Sequence, residues 1–494
     1  MSHRSRDVMV AIAIFLCSCI AYRASLSVGF FSDDFQWLGR MNATIERPSY
    51  LFTVFFRDFN PVLHASFAID WLLAGLTPSF WHAHSVLLHA SSALLLFVLC
   101  RQIGAGRWLA LAAAATWAVN VRISEAVIWP AARGHQLAAL AALAALVLLL
   151  SEYRHRRWLA LLVLTLGLFA KETTLFAMAA IPFFLPSWKK ERLYLLGHSA
   201  LAVGFVLLNM VLKDNLHTSD AGIYALLMKT PFILLRPLGL GDYARFDLPT
   251  LLVVGALIAL GALLLRRGPG LAGLLWLLAC SAPIVPLDKL SSRYLYLPAI
   301  GYAVLLCAIA MAVIPRLRSE MVRRIASWGF IAAVVVVSAA NLLLIQREVE
   351  DYRILSQPYM DLVDRASTSL ASVEPGQSIV YVDGSSQATI RELTGTIQER
   401  GNITKLIPYR RHAIDGLIGL PDLLNVARAR QAGLLGRGLS AEELERAPLE
   451  TVEDAIWFLD DGRQLRQVEA TIANLPEERV HRAVWEAAAS YFAR

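Results

Sequence analysis

Gln136-Leu-Ala-Ala-Leu-Ala-Ala-Leu-Ala-Ala-Leu-Val-Leu-Leu-Leu150 contains no charged residue. An α-helix rises about 1.5 Å per residue, so a bilayer core about 30 Å thick takes about 20 apolar residues. With its flanks this run spans 136–152, and it is one of a series. Similar runs lie near 8–28, 80–100, 107–121, 158–170, 173–187, 193–212, 248–265, 271–287, 294–314 and 326–345. The expected fold is an α-helical polytopic membrane protein of about 11 transmembrane helices. The run at 158–187 is split in two by Lys171 and Glu172.

Composition agrees. The chain has 494 residues, 57% hydrophobic and 17% charged, against about 45–50% and about 25% in soluble proteins. Mean hydropathy is +0.53. Disordered chains, coiled coils and simple soluble enzymes are excluded. The first run is too long for a cleavable signal peptide and is followed by many more, so it reads as a span.

Charge divides the chain. Residues 346–494 hold 17 basic and 23 acidic residues, and residues 1–345 hold 29 and 16. The expected domains are therefore a basic membrane body, 1–345, and an acidic extramembrane domain, 346–494. The basic excess lies in short loops, which is a topology signal rather than a nucleic-acid footprint. One face collects Arg4, Arg6, Arg101, Arg107, Arg154, Arg156, Arg157, Lys189, Lys190, Arg192, Arg266, Arg267, Arg316, Arg318, Arg323 and Arg324. The expected N-terminus is cytoplasmic. An odd span count then puts the C-terminal domain on the outer, periplasmic face of a cell inner membrane. Twelve of the sixteen acids of the body lie in or beside the opposite loops, 29–79, 122–135, 171–172, 213–247 and 288–293. Acids contribute little to topology, so their gathering there asks for chemistry.

The tail reads as a small α/β domain. Ser378–Gly384, Ile403–Tyr409 and Asp454–Leu459 have strand character, and Pro421–Leu435 and Ala441–Arg446 have helical signals. It carries no nucleophile elbow or phosphate loop. All five cysteines fall in apolar runs and read as small hydrophobes.

Four outer-face features could carry chemistry. The first is Phe30-Phe31-Ser32-Asp33-Asp34-Phe35, two adjacent acids where the first span ends. Like charges side by side raise a carboxyl pKa, which suits a general base, and a solvated turn or helix cap is the plain alternative. The second runs from Arg122 through Glu125 and Trp129 to Arg133. Glu125 and Arg133 are eight residues apart, about two helical turns, so they are expected on one face, for chemistry or as a structural pair. The third is Lys171-Glu172 at membrane depth, where ionisable groups mark function by default. The fourth is Asp288-Lys289-Leu-Ser-Ser-Arg293-Tyr294-Leu-Tyr296. Its cations suit an anionic lipid head group or serve as interfacial anchors. His64, His82, His84 and His89 read as core or interfacial histidines rather than metal ligands.

In combination these stretches resemble the GT-C superfamily of membrane glycosyltransferases. The resemblance is closest to the branch of tetratricopeptide-containing O-mannosyltransferases and their bacterial relatives. Asp33-Asp34 is similar to that superfamily's outer-loop acidic motif. Asn60-Pro61 through Asp70-Trp71 to His89, Ser124-Glu125 to Arg133, Leu168 to Thr173, Arg236 to Tyr243, and Arg293 to Pro298 are similar to later motifs. The likeness covers about residues 1–315, and the tetratricopeptide tail is missing.

The resemblance implies an inverting, hexosyl- or mannosyltransferase-like enzyme. It would move a monosaccharide from a polyprenyl-phosphate donor to a glycan, glycolipid or protein hydroxyl at the outer face. It implies Asp33, Asp34 and Glu125 as catalytic acids. Arg133, Lys171, Lys289, Arg293 and Tyr294 would bind the donor phosphate, and Asp70, His89 and Glu172 would support them. No cofactor, metal or nucleic-acid partner is expected. The alternatives are a secondary transporter, a lipid-linked glycan flippase or a polymerase. Inverted repeats and broken helices would mark a transporter, and none is evident in the sequence.

Overall fold

The computed structural model describes residues 3–31, 33–55, 58–212, 268–284, 291–317, 319–369, 379–383, 456–460 and 465–468. The run at 248–265, the stretch Arg236–Tyr243 and Lys289 lie outside these. So do the strand expected at Ile403–Tyr409 and the two helices expected in the tail.

Among the described residues the helices are α1 (His3–Ala21), α2 (Asp34–Glu46), α3 (Pro61–Ala74), α4 (Pro78–Gln102), α5 (Arg107–Ala118), α6 (Glu125–Ile128) and α7 (Arg133–Leu149). They continue with α8 (Arg156–Ala170), α9 (Thr174–Ala180), α10 (Arg192–Leu212), α11 (Pro269–Ser281), α12 (Tyr296–Val313) and α13 (Glu320–Ser369). Among the described residues, six stretches are long and apolar enough to cross a membrane: Ser5–Ser27, Pro78–Gln102, Pro130–Leu149, Arg192–Leu212, Ser292–Arg316 and Glu320–Gln357. Four more of the expected spans form shorter helices, α5, α8, α9 with its 3-10 extension to Phe184, and α11. The apolar helix α3 falls within the loop read as 29–79.

The chain divides into two compact units. One comprises Met1–Val28, Leu51–Asp70 and Pro78–Tyr352, and the other Gly29–Tyr50, Trp71–Thr77 and Arg353–Arg494. The boundary read at 345/346 falls inside the continuous helix α13.

In the first unit α7 is the central helix. In its span 72% of residues are buried, against 11% for Arg192–Leu212 and 6% for Glu320–Gln357, which are apolar and exposed as lipid-facing helices are. Its alanines explain the difference. Ala138, Ala139, Ala142 and Ala145 are fully buried, and small side chains let membrane helices approach closely. At Gly301 the contact is between backbones. A Cβ there would stand 2.7 Å from Leu277 N and 2.8 Å from Gly273 O, so α11 and α12 cross where only glycine fits.

Among the described residues of this unit, ion clusters join helix ends at Asp7 and at Glu191. Asp7 accepts from Arg101 at 2.9 Å and Arg107 at 2.5 Å, tying α1 to α4 and α5. Glu191 accepts from Arg156 at 2.6 Å and Arg157 at 2.7 Å. The Arg157 guanidinium, with Arg156 behind it, holds the Glu191 carboxyl below its ordinary pKa against the opposing effect of burial. Cations read from the sequence as topology signals thus also pair. Helix α13 anchors here through one stripe. Asn341 accepts from Val121 N at 3.2 Å, Gln346 donates to Ala21 O at 2.8 Å, and Glu348 accepts from Ser124 Oγ. Ile345 and Val349 on the same stripe are buried.

In the second unit, Gly29 lies so close to α13 that a Cβ would meet Met360 Cγ at 2.4 Å. Gly29 N donates to Ser356 Oγ at 3.0 Å. The described strands of the tail are β1 (Ile379–Asp383), β2 (Ile456–Asp460) and β3 (Leu465–Val468). β2 lies between β1, to which it is parallel, and β3, to which it is antiparallel. β1 and β2 occupy two of the stretches with strand character, whereas β3 had no clear sequence signal.

Candidate active site

Proline sets the geometry of the 122–135 loop. Pro130 has no N–H to donate and disfavours helical backbone in the residue before it. Trp129 is accordingly extended, at φ −100° and ψ 109°. Helix α6 ends at Ile128, a short turn covers Pro130–Ala132, and α7 starts afresh at Arg133. Glu125 and Arg133 therefore do not share a helix face, and the pairing expected from their spacing is corrected. Each takes another partner.

Glu125 pairs with Arg293. Arg293 Nη1 donates to Glu125 Oε1 at 2.8 Å, Arg293 N donates to Oε2 at 3.0 Å, and Ser291 Oγ donates to Oε1. The guanidinium lies over Trp129 at 4.5 Å and Tyr294 at 5.1 Å. Its Nε and Nη2 make no hydrogen bond among the described residues. The carboxylate thus fixes one edge of a planar fork and leaves further donors for a ligand.

Arg133 pairs with Asp70. Their ion pair is 2.5 Å long and both side chains are fully buried. Arg133 also donates to Ser66 Oγ at 3.2 Å and to Trp81 O at 3.0 Å, and it lies over Phe67 at 4.8 Å. His84 Nδ1 is 2.6 Å from the other Asp70 oxygen. This set holds α3, α4 and α7 together. A guanidinium enclosed to that degree braces the fold, so the geometry gives Arg133 no ligand-facing surface.

Lys171 lies in the extended break between α8 and α9, where the sequence placed a charged hinge. Its Nζ donates to Asp58 at 3.0 Å and to Glu172 at 3.0 Å. Burial disfavours the ammonium charge, but Glu172 and Asp58 outweigh it and raise the Lys171 pKa. Lys171 stays charged, with one of its three N–H groups left over. Asp58 is a partner that the sequence reading did not single out.

Tyr294 packs edge-on against His135, with ring centroids 5.5 Å apart. The charges of Lys171, Arg293 and Asp58 all act on that histidine. The first unit therefore brings Glu125, Arg293, Tyr294, Lys171, Asp58, Glu172 and His135 into one neighbourhood. His135 was also missed in the sequence. A histidine opening an apolar helix looks like core, and only its partners distinguish it.

His89 is such a core residue. Its ring lies against Tyr22 and Trp117, its Nε2 is 2.8 Å from Ala118 O, and its Nδ1 is 2.8 Å from Tyr296 Oη. With both nitrogens taken inside the helix packing, it supports the fold from within.

Asp33 and Asp34 lie in the second unit. Asp34 begins α2 and is 3% exposed, and its Oδ2 accepts from Phe31 N at 3.1 Å. Asp33, at the turn before it, is half-buried, and its carbonyl accepts from Trp37 N at 3.2 Å. The two acids differ. The Asp34 carboxylate ties the segment before α2 to the start of the helix, and Asp33 is the less buried of the two.

Neither a protein-family model nor a curated protein sequence matches the chain. Solved structures do. The chain is similar to the crystal structure of ArnT from Cupriavidus metallidurans in the apo state, with TM-score 0.54 and 12% identity over 93% of this chain and 94% of that one. The crystal structure of the same protein bound to undecaprenyl phosphate also matches, at TM-score 0.49 and 12% identity over 92% of each chain. The apo likeness shows that this mostly helical chain shares the fold of ArnT.

Proposed function

We propose that the protein is an inverting glycosyltransferase of the cell inner membrane. It moves a monosaccharide from a polyprenyl-phosphate donor to a hydroxyl of an envelope glycan, glycolipid or protein at the outer face. The observation that carries this reading is the pair of cations Lys171 and Arg293. Each is held by carboxylates, and each keeps donors unused, in a fold shared with ArnT. An anionic head group whose lipid tail stays in the bilayer is the ligand such a site suits.

In the proposed mechanism, Asp33 accepts the proton of the acceptor hydroxyl. The hydroxyl oxygen attacks the anomeric carbon opposite the phosphate, the bond from that carbon to the phosphate oxygen breaks, and configuration inverts. Polyprenyl phosphate leaves with the bonding electrons. Lys171, Arg293 and Lys289 stabilise the negative charge that develops on it. Glu125 and Glu172 position two of those cations, and Tyr294 packs beside Arg293. Arg133 and Asp70 brace the helices beneath. The sugar is read as a hexose by resemblance alone.

Mass spectrometry of envelope glycans with and without the protein tests the reading. A hexose-sized mass lost from one glycan class in cells lacking the protein is expected, and identical profiles contradict it.

Two further predictions follow from the parts. Arg293→Ala should weaken apparent donor affinity about tenfold or more, because a charge-assisted hydrogen bond to phosphate contributes about 1.5–3 kcal/mol. Wild-type donor affinity in that variant would leave Arg293 only as the partner of Glu125. The orientation is tested by reporter fusions. A reporter active only in the periplasm should work after Arg494 and fail before Met1, and the reverse pattern contradicts the reading of the Lys/Arg loops.

A further inference from the structure

His135 differs from the core histidines His89 and His198 of the first unit. His89 has both ring nitrogens placed on partners, as does His198, with Tyr194 Oη at 3.0 Å and Met178 O at 2.9 Å. His64 Nδ1 lies 3.2 Å from Leu51 O and His84 Nδ1 2.6 Å from Asp70 Oδ1. His135 is 5% exposed, and among the described residues its ring nitrogens make no hydrogen bond. They are not among the fully enclosed side-chain atoms, so the small exposed part of the residue leaves its ring nitrogens open to a ligand.

Its surroundings indicate the kind of ligand. His135 lies in the first turn of α7, and the edge-on Tyr294 ring fixes its plane. Lys171 lies across the start of the same helix, its Cδ 3.3 Å from where a Cβ on Gly134 would be. Both Lys171 and Arg293 are close enough for their charges to act on the ring. A group that accepts a hydrogen bond from an imidazole between two cations is an anion, and one with several acceptor oxygens satisfies all three residues at once. The first-turn N–H groups of α7 add a favourable dipole on that side. Either neutral tautomer of His135 presents one N–H.

We infer that His135 is a donor-binding residue, whose ring N–H donates a hydrogen bond to a phosphate oxygen held between Lys171 and Arg293. This rests on the polyprenyl-phosphate reading above and adds to it a residue that reads the head group by a directed, uncharged contact. Phosphate from a lipid or free in solution has the same acceptor oxygens, so both belong in the test.

Purified protein in lipid nanodiscs is titrated with polyprenyl phosphate, with inorganic phosphate and with uncharged polyprenol. The readout is the shift in thermal unfolding. The comparison includes His135→Gln, which keeps an N–H donor, and His135→Phe, which keeps the ring edge against Tyr294. Wild type should be stabilised by polyprenyl phosphate and not by polyprenol. His135→Phe should bind polyprenyl phosphate about tenfold more weakly, and His135→Gln within about threefold of wild type. Equal binding by wild type and His135→Phe overturns the inference and leaves the function intact. Equal loss in both variants, with lower unfolding temperatures without ligand, also overturns it by making His135 structural. Stabilisation by inorganic phosphate at the same concentrations, lost in His135→Phe, upholds the contact and overturns the lipid as its source. No stabilisation of wild type by any phosphate sinks the donor reading and this inference with it.

Discussion

Asp33→Asn is expected to lower the rate of sugar transfer by about 10²–10⁴, the usual effect of removing a positioned general base. The protein should still fold and insert, because Asn keeps the size and much of the local hydrogen bonding of Asp. The contrast with its neighbour carries the argument. The Asp34 carboxylate is buried and accepts from Phe31 N, so it maintains the start of α2. An amide oxygen accepts that same bond, so Asp34→Asn should lose less, chiefly in acceptor binding. Asp33 is half-buried in the turn that precedes α2. Steady-state transfer by both variants decides the matter. Near-wild-type rates in both would leave the pair as a structural turn and move the search for the base elsewhere. Glu125 would be the next candidate, although its two oxygens are already occupied by Arg293 and Ser291.

Asp70→Ala should destabilise the first unit by about 3–5 kcal/mol, because it leaves the guanidinium of Arg133 buried without its counter-charge. Both side chains are fully buried, so water has no easy route to compensate. Phe67 and Trp81 pack against the cation but do not neutralise it. The double variant Asp70→Leu with Arg133→Met should recover much of the loss, since an apolar pair of similar volume often replaces a buried ion pair without cost. Thermal unfolding in nanodiscs measures both. An Asp70→Ala protein as stable as wild type would contradict the bracing role and return Arg133 to the ligand-binding candidates.

Much of the fold was legible because membrane helices announce themselves by length and hydropathy. The break at Lys171-Glu172 was legible for the same reason, since two charges interrupt an apolar run. Partnership was not legible. Asp70 and Arg133 are separated by a whole span, and their pairing depends on how α3, α4 and α7 pack. Glu125 and Arg133 were read as neighbours from helical spacing, and Pro130 defeated that. The signal was in the sequence, because the residue before a proline avoids helical backbone. Asp58 gave no signal at all, because its role comes from Lys171 across more than a hundred residues. His135 likewise looked like one more helix residue until the places around it were known. The length of α13 beyond residue 345 was hidden by its composition. Its apolar stretch ends there, while Gln346, Glu348 and Val349 continue the same buried stripe.

Transfer by purified protein tests the central claim most directly. Polyprenyl-phosphate hexoses labelled in the sugar are supplied in nanodiscs with a membrane extract as the source of acceptor. The label should pass to an acceptor with inverted anomeric configuration and leave unlabelled polyprenyl phosphate, and Asp33→Asn should abolish most of that transfer. Label that stays on the lipid with every hexose donor, or that only crosses the bilayer still attached to it, would contradict the account.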